Sequence, residues 1–278
     1  MGDPLFANWL VLLGAAGAVG GAIASFLNVV AWRLPAGRSV VHPPSACLHC
    51  RSAIRPWHNI PVLGWVLLRG RCYDCSEPIS ARYPLVELLG AAMWAVLFVA
   101  IMGAPPLLGQ PRDLIGLGLF GAYFSALLAA ALIDADHFIL PDRITLPLIP
   151  LGIAANAALE WAGIGDASFV SSVFGAVAGG GVLIAIAELG RRMYGREAMG
   201  FGDVKLVAAI GAWQGLHPTL LLTILVGSLA GSIVGIVRIA KLGRQEGGKI
   251  PFGPFLIFGA FVSFVWGDQL WAMFLPTL

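Results

Sequence analysis

Long apolar runs separated by short polar segments dominate the pattern of hydrophobic positions along this 278-residue chain. A helix that crosses a bilayer needs roughly 20 mostly apolar residues. The charge-poor runs predict eight candidate membrane-spanning helices, at 6–31, 84–103, 114–133, 144–162, 169–190, 204–217, 219–237 and 252–275. The run at 204–217 is short and Pro218 follows it, so it forms either a tight hairpin with the next run or one broken helix. The pattern predicts an all-α polytopic membrane protein.

One polar segment, 32–83, is much longer than the others and divides the chain into three predicted parts. Residues 1–31 form the first transmembrane helix, residues 32–83 a small domain outside the membrane, and residues 84–278 a transmembrane core. The first run is interpreted as a retained span and not as a signal peptide. No basic segment precedes it, Asp3 lies before it, and it is longer than the apolar part of a signal peptide.

Composition agrees with a membrane protein and excludes several other classes. Apolar residues make up 58% of the chain and charged residues only 12%, whereas an average soluble domain has about 45–50% and about 25%. A disordered chain and an ordinary soluble enzyme are therefore excluded. The net charge of +2 is too small to indicate a nucleic-acid partner. The partner that composition predicts is the lipid bilayer, with any chemistry on the helices or on short loops.

The basic residues indicate an orientation. If the N-terminus lies outside the cell, 16 of the 17 Lys and Arg residues fall in the segments on the cytoplasmic side, at 32–83, 134–143, 191–205 and 238–250. Only Arg112 falls on the opposite side. Cytoplasmic loops of membrane proteins carry such an excess of Lys and Arg. The bias therefore predicts that residues 32–83 form a cytoplasmic domain and, with eight spans, that the C-terminus lies outside.

All four cysteines lie in this predicted cytoplasmic domain, as two Cys-x-x-Cys pairs: Cys47 with Cys50, and Cys72 with Cys75. Two such pairs at this separation are typical of a tetrahedral four-cysteine zinc site. A closed four-thiolate shell leaves no position for a catalytic water, so the predicted Zn²⁺ is structural. A pair of redox-active dithiols and four unliganded thiols are the alternatives, and disulfides are disfavoured on the reducing side of the membrane.

Two acidic motifs lie at the predicted cytoplasmic edge of the membrane. The first is the stretch 132–142, which contains Asp134, Asp136 and Asp142, and the second is Gly-Phe-Gly-Asp at 200–203. Charged residues beside membrane spans are costly and mark candidate functional sites. Because both motifs lie at the same depth, helix packing is able to bring Asp134 and Asp203 together.

Two carboxyl groups in one poorly hydrated site do not ionise together readily, so one keeps a proton while the other acts as a base. Asp134 and Asp203 are thus predicted to activate a water molecule for hydrolysis, with Asp136 as the competitor of Asp134. Asp142 is interpreted as a loop or cap residue, and Lys205 either anchors a loop or tunes the acidic pair. The alternative is that these aspartates are solvated loop residues or helix caps. The chain contains neither His-Glu-x-x-His nor Gly-x-Ser-x-Gly, which excludes two other hydrolytic solutions.

The chain resembles the bacterial type IV prepilin peptidases over nearly its whole length. The Gly-x-Gly-Asp element is also similar to that of other intramembrane aspartyl proteases. The residues that carry the resemblance are the stretch 21–30, Arg33-Leu34-Pro35, both cysteine pairs, His58-Asn59-Ile60-Pro61, the stretches 69–72 and 79–84, Glu87, the aspartates 134 and 142 with Leu140-Pro141, the stretch 200–205, and Pro251-Phe252-Gly253-Pro254.

The resemblance implies a function and a location. The family's catalytic aspartates fall on Asp134 and Asp203, and residues 84–278 would be the aspartyl peptidase core. The implied enzyme removes a short basic leader from prepilins and related pseudopilins at the cytoplasmic face of the bacterial inner membrane. It then N-methylates the new N-terminal residue with S-adenosylmethionine, a cofactor implied by the resemblance alone because no Gly-x-Gly-x-x-Gly motif follows a strand.

A second hypothesis treats the chain as a non-enzymatic membrane scaffold or a small transporter, with the four-cysteine domain as a docking module. It explains the spans and the cysteines but leaves the two acidic motifs without a role. A transporter is expected to carry its polar residues near the middle of the membrane. The acidic motifs of this chain lie instead at the predicted cytoplasmic edge, which favours the peptidase.

Overall fold

The computed structural model describes residues 4–103, 110, 113–164, 168–195, 200–247 and 250–274. Arg112, Arg196 and Lys249, which the charge-based orientation used, lie outside these residues. Helices dominate the described part of the chain, and β structure within it is limited to two isolated bridges. The helices are α1 (Pro4–Arg33), α2 (Leu63–Leu67), α3 (Arg82–Met102), α4 (Asp113–His137), α5 (Asp142–Trp161), α6 (Phe169–Tyr194), α7 (Phe201–Gln214), α8 (Thr219–Gly247) and α9 (Gly253–Phe274).

The predicted all-α membrane class is confirmed. Among the described residues, seven helices are long and apolar enough to cross a bilayer, namely α1, α3, α4, α5, α6, α8 and α9. The predicted run at 204–217 corresponds to α7, which has 14 residues and is about 21 Å long, shorter than the hydrocarbon core. The structure has two separate helices in this region. Helix α7 ends at Gln214, Gly215 adopts φ +76°, and α8 begins at Thr219.

The chain forms two compact units, residues 1–125 and 126–278, with the boundary inside α4. In the first unit α1 packs closely against α3. A Cβ added to Gly20 would lie 2.4 Å from the carbonyl oxygen of Gly90, so only glycine allows this approach. The indole of Trp9, near the start of α1, donates a hydrogen bond to the carbonyl of Gly103, just after α3. The two helices are therefore antiparallel.

In the second unit α7 is buried among its neighbours. Helix α6 approaches it so closely that a Cβ on Gly211 would lie 2.0 Å from the carbonyl oxygen of Gly175. The buried Asn156 of α5 donates hydrogen bonds to the carbonyls of Ala212 and Trp213, at the end of α7. Satisfied polar contacts between helices are required where no water reaches. These contacts fix the axis of α7, which begins next to Asp203.

Candidate functional site

The first candidate site is the cluster of four cysteines in the first unit. All four sulfur atoms lie within 4.8 Å of one another. The Sγ atoms of Cys47 and Cys75 are 3.8 Å apart, and those of Cys50 and Cys72 are 3.9 Å apart. A tetrahedral zinc site with Zn–S bonds of about 2.3 Å has sulfur atoms about 3.8 Å apart. The predicted convergence of the four cysteines is therefore confirmed, and their spacing fits a metal ion of this size.

The two cysteine pairs adopt the same local structure. In each pair the N–H of the residue after the second cysteine donates to the carbonyl of the first: Arg51 to Cys47, and Ser76 to Cys72, both at 2.9 Å. Arg51 has φ +60° and Ser76 has φ +59°. Each turn thus reverses the chain within a few residues and points both thiols the same way. We call residues 46–79, which contain both turns, the cysteine module.

Side-chain contacts within the cysteine module add to the four cysteines. Arg55, just after the first turn, lies 4.0 Å from the centre of the Tyr73 ring and 3.6 Å from the Asp74 carboxylate. The indole of Trp65 donates a hydrogen bond to the carbonyl of Ile79 at 3.0 Å. Pairs of this kind at the surface contribute modestly to stability. These contacts alone therefore give the module little stability.

The second candidate site lies in the second unit and contains Asp134. This residue lies in the last turn of α4, and only 5% of it is exposed. Its Oδ2 atom accepts a hydrogen bond of 2.9 Å from the backbone N–H of Gly253, the first residue of α9. A carboxylate at a helix N-terminus is stabilised by the unpaired N–H groups and by the helix dipole. Asp134 therefore closes the N-terminus of α9, and α9 in turn fixes the carboxylate.

Asp203 lies in the first turn of α7, outside the seven candidate spans, and is half-buried. Its burial raises the pKa of the carboxyl to about 6, and the charge of Asp134 adds to this increase. One carboxyl raises the pKa of another in this way only when the two lie close together. The structure therefore brings the two predicted aspartates into one site, although they are 69 positions apart in the sequence.

Leu140 packs against both α7, which carries Asp203, and the start of α9, which bonds Asp134. A Cβ added to Gly202 would lie 3.2 Å from the Cβ of Leu140, and a Cβ added to Gly253 would lie 3.0 Å from its Cδ2. The added Cβ on Gly253 would also lie 2.6 Å from Oδ2 of Asp134. Both glycines thus make room for the leucine, and Gly253 makes room for the carboxylate as well. We call Asp134, Leu140, Gly202, Asp203 and Gly253 together the aspartate site.

The remaining charged residues of the two motifs take other positions. Lys205 forms an ion pair with Asp142 at 2.7 Å, which joins α7 to the first residue of α5. This contact fits the anchoring role that was one of the two alternatives for Lys205. Asp136 is exposed, whereas Asp134 is buried, so the two competitors occupy different environments. Sequence reasoning assigned no role to Gly253, because its contribution is a backbone N–H; the only signal was its place in Pro-Phe-Gly-Pro.

The fold and the two sites define a helical, multi-pass membrane protein with a metal-binding module and a buried acidic pair. Comparison with known proteins gives the family. Residues 18–101 match the bacterial peptidase A24 N-terminal domain, and residues 121–236 match the type IV leader peptidase family. The chain belongs to the type IV leader peptidase family and is a peptidase by that membership.

Three relatives, each a prepilin leader peptidase/N-methyltransferase, illustrate the similarity. The protein from Pseudomonas aeruginosa is 38% identical, over 89% of this chain and 88% of its own length. The one from Stutzerimonas stutzeri is 36% identical, over 98% and 96%, and the one from Aeromonas hydrophila is 38% identical, over 92% and 91%. No solved structure matches this chain. Both motif regions and both units thus fall within a family-wide similarity.

Proposed function

We propose that this protein is an aspartic endopeptidase that removes the leader peptide from type IV prepilins and related pseudopilins, with Asp134 and Asp203 as its catalytic pair. The observation that carries this proposal is the buried acidic pair itself, in which one carboxyl is held by the N–H of Gly253 and the other has a raised pKa. The names of the relatives support the substrate class. A scaffold or a transporter has no need of two carboxyls in one poorly hydrated site.

The geometry gives the two carboxyls different tasks. The N–H of Gly253 donates to Asp134, and a hydrogen bond to a carboxylate favours its ionised form. We assign Asp134, whose carboxyl this N–H orients, as the base that takes a proton from the attacking water. We assign Asp203 as the acid: its pKa is raised to about 6, so it carries a proton more readily than an ordinary aspartate and gives it to the carbonyl oxygen of the scissile peptide. The water oxygen forms the new bond to carbon. When the intermediate collapses, the carbon–nitrogen bond breaks, the nitrogen of the mature pilin leaves with the proton that Asp134 took from the water, and the hydroxyl proton of the intermediate returns to Asp203.

The membrane-edge position of this pair suits a substrate whose cleavage site lies next to an apolar helix. Asp134 ends a candidate span and Asp203 begins a short helix, so both lie near one end of their helices. A substrate helix lying beside the spans would present its N-terminal residues at that level. The excess of Lys and Arg in 32–83 supports an orientation in which this edge faces the cytoplasm. The protein would then act at the cytoplasmic face of the inner membrane.

Two further assignments belong to the same proposal. Zn²⁺ bound by the four cysteines would cross-link the two turns of the cysteine module, and a closed four-thiolate shell supplies structure rather than chemistry. The relatives are also N-methyltransferases. We propose that this chain likewise methylates the new N-terminal residue of its product, with S-adenosylmethionine as the methyl donor.

The proposal is tested with the purified full-length protein in lipid nanodiscs, incubated with a prepilin. Mass spectrometry of the product is expected to show loss of the leader, and a further gain of one methyl group when S-adenosylmethionine is present. Protein carrying both Asp134→Asn and Asp203→Asn should leave the prepilin intact while keeping its zinc content and melting temperature. An uncut prepilin with the wild-type protein would favour a scaffold or transporter, and cleavage by the double variant would refute the catalytic pair.

A further inference from the structure

Helix α2, within the cysteine module, has one strongly exposed apolar face. Leu63 is 58% exposed, Val66 is 55% exposed and Leu67 is 72% exposed. Residues separated by three or four positions share one face of a helix, so these three side chains form a single apolar patch. Trp65 points the other way, into the module, where its indole bonds Ile79. A soluble loop rarely turns three large aliphatic side chains outward together.

The segment just before α2 packs against α1 and α3, at Gly21 of α1 and Glu87 of α3. A Cβ added to Gly21 of α1 would lie 3.5 Å from the Cβ of Pro61 and 3.6 Å from the carbonyl oxygen of Glu87 in α3. The N–H of Val62 donates a hydrogen bond of 2.7 Å to the Glu87 carboxylate. Pro61 and Val62 therefore contact both spans directly.

The position of Glu87 gives the depth of this contact. Helix α3 runs from Arg82 to Met102, a length of about 31 Å, which matches a hydrocarbon core of about 30 Å. Its first residue therefore lies near the bilayer surface. Glu87 comes five residues later, about 7 Å along the axis. Interfacial helices bury their apolar face about 5–10 Å into the boundary between headgroups and acyl chains.

The backbone N–H groups just before α2 all have hydrogen-bond partners, as they must in a lipid environment. Val62 has φ +63° and ψ −51°, a strained turn for a β-branched residue. The N–H of Leu63 donates to the carbonyl of Pro61 within this turn, and the N–H of Gly64 donates to Ile60. With Val62 bonded to Glu87, all three consecutive N–H groups have partners. Unpaired N–H groups are costly in a bilayer, and this turn leaves none of the three without one.

Basic residues flank the apolar patch of α2, so that this segment is amphipathic. Arg69 and Arg71 follow α2 directly, and both are exposed. The whole segment 32–83 contains seven arginines and only two acidic residues, Asp74 and Glu77. Basic residues beside an apolar patch are attracted to anionic lipid headgroups. The patch and its basic flank thus match a lipid surface that carries negative charge.

We propose that α2 is an interfacial membrane helix, whose residues Leu63, Val66 and Leu67 insert among anionic lipids of the leaflet that contains the end of α1 and the start of α3. The cysteine module is thereby held on the bilayer surface by α2 in addition to the two spans. The contact of Pro61 with Gly21 and the hydrogen bond from Val62 to Glu87 set the depth of insertion. This inference is independent of the catalytic proposal.

The test uses the photoreactive residue p-benzoylphenylalanine in the full-length protein, in nanodiscs made of phosphatidylcholine and phosphatidylglycerol. One protein carries it at Leu67, a second at Val66, and the control carries it at Leu48, which is 70% exposed in the first cysteine turn. Zinc content confirms that each protein is folded. After irradiation, lipid adducts are expected to be at least fivefold more abundant at positions 66 and 67 than at position 48.

A second comparison tests the charge. Phosphatidylglycerol is expected to be over-represented among the adducts at position 67, and this enrichment should disappear in protein that also carries Arg69→Gln and Arg71→Gln. Adducts at positions 66 and 67 no more abundant than at position 48 would overturn the proposal. Cross-links from position 67 to another protein chain in place of lipid would overturn it too, because the patch would then bind a second copy.

Discussion

The Sγ atoms of Cys47 and Cys75 meet across 28 positions of the chain, whereas the hydrogen bond from Gly253 to Asp134 joins residues 119 positions apart. The cysteine module obtains its geometry from two short turns that each follow from local sequence. The aspartate site obtains its geometry from the packing of α4, α7 and α9. The geometry of the cysteine module can therefore be predicted from a sequence motif, whereas that of the aspartate site depends on how helices distant in sequence pack together.

The two sites also differ in what stabilises them. The cysteine module has few buried apolar contacts, so bound metal is expected to supply most of its stability. The aspartate site lies in a unit whose helices approach at Gly175, Gly211 and Gly253, where any added side chain collides. Metal removal should therefore affect the first site, and added methyl groups should affect the second.

The largest expected effect is on catalysis. Asp134→Asn or Asp203→Asn alone should lower the rate of prepilin cleavage about a thousandfold, because each change removes one partner of the acid–base pair. Cleavage is measured by gel mobility of the prepilin over time. Asp136→Asn is the matched control, since Asp136 is exposed and two positions from Asp134, and it should keep its rate within about twofold. Full activity of either pair variant would remove that residue from the catalytic pair.

The second effect is on the metal. Cys47→Ser removes one of four thiolates, so bound zinc, measured by mass spectrometry after dialysis against a weak chelator, should fall from one per chain to less than about one tenth. Hydrogen exchange of residues 46–79 should speed up, while that of α7 stays unchanged. Ser45→Ala, two positions away, is the control. Unchanged zinc in the Cys47 variant would refute the four-cysteine ligand set.

The sequence predicted the class of fold and the convergence of the cysteines because both depend on residues that are close together along the chain. Membrane spans follow from the length of apolar runs, and a Cys-x-x-Cys pair implies the turn that orients its two thiols. The sequence placed 204–217 among the candidate spans, whereas α7 has only 14 residues and is too short to be one of the seven candidate spans. Gly215, whose φ is +76°, ends α7 and separates it from α8.

The aspartate site could be predicted only in part. The sequence indicated Asp134 and Asp203, because charges beside spans are costly. It did not indicate the N–H of Gly253, since a backbone donor leaves no trace in residue type. It also left two roles open for Lys205, because the ion pair with Asp142 depends on the relative position of α5 and α7.

The third effect tests this missed contact. Gly253→Ala places a methyl group 2.6 Å from Oδ2 of Asp134 and 3.0 Å from Leu140, so the carboxylate must move away from its N–H donor. The turnover rate should fall about tenfold to a hundredfold, with little change in KM, since misplacement by about 1 Å has that cost. Steady-state kinetics with a prepilin peptide gives both values.

The control for this variant is Gly181→Ala in α6, where an added Cβ meets nothing within 4 Å. It should keep full activity, because alanine stabilises a helix relative to glycine. Equal losses of activity in both variants would mean that replacing any helical glycine in this unit lowers activity, and the effect at Gly253 would then not be specific to its N–H. A normal rate for Gly253→Ala would show that the N–H of Gly253 does not position Asp134.

The smallest effect separates anchoring from catalysis at Lys205. Lys205→Met breaks its ion pair with Asp142, whose side chain is 57% exposed. Partly exposed pairs contribute about 0.2–1 kcal/mol, so the melting temperature should fall by about 1–3 °C and cleavage by no more than about threefold. Asp142→Asn should give most of this shift, and adding it to Lys205→Met no further loss, because both changes break the same ion pair while only Lys205→Met also removes the contact of Lys205 with the Phe201 ring. A loss of activity in Lys205→Met that Asp142→Asn does not reproduce would instead mean that Lys205 acts on Asp134 or Asp203, and the aspartate site would then include a third charged group.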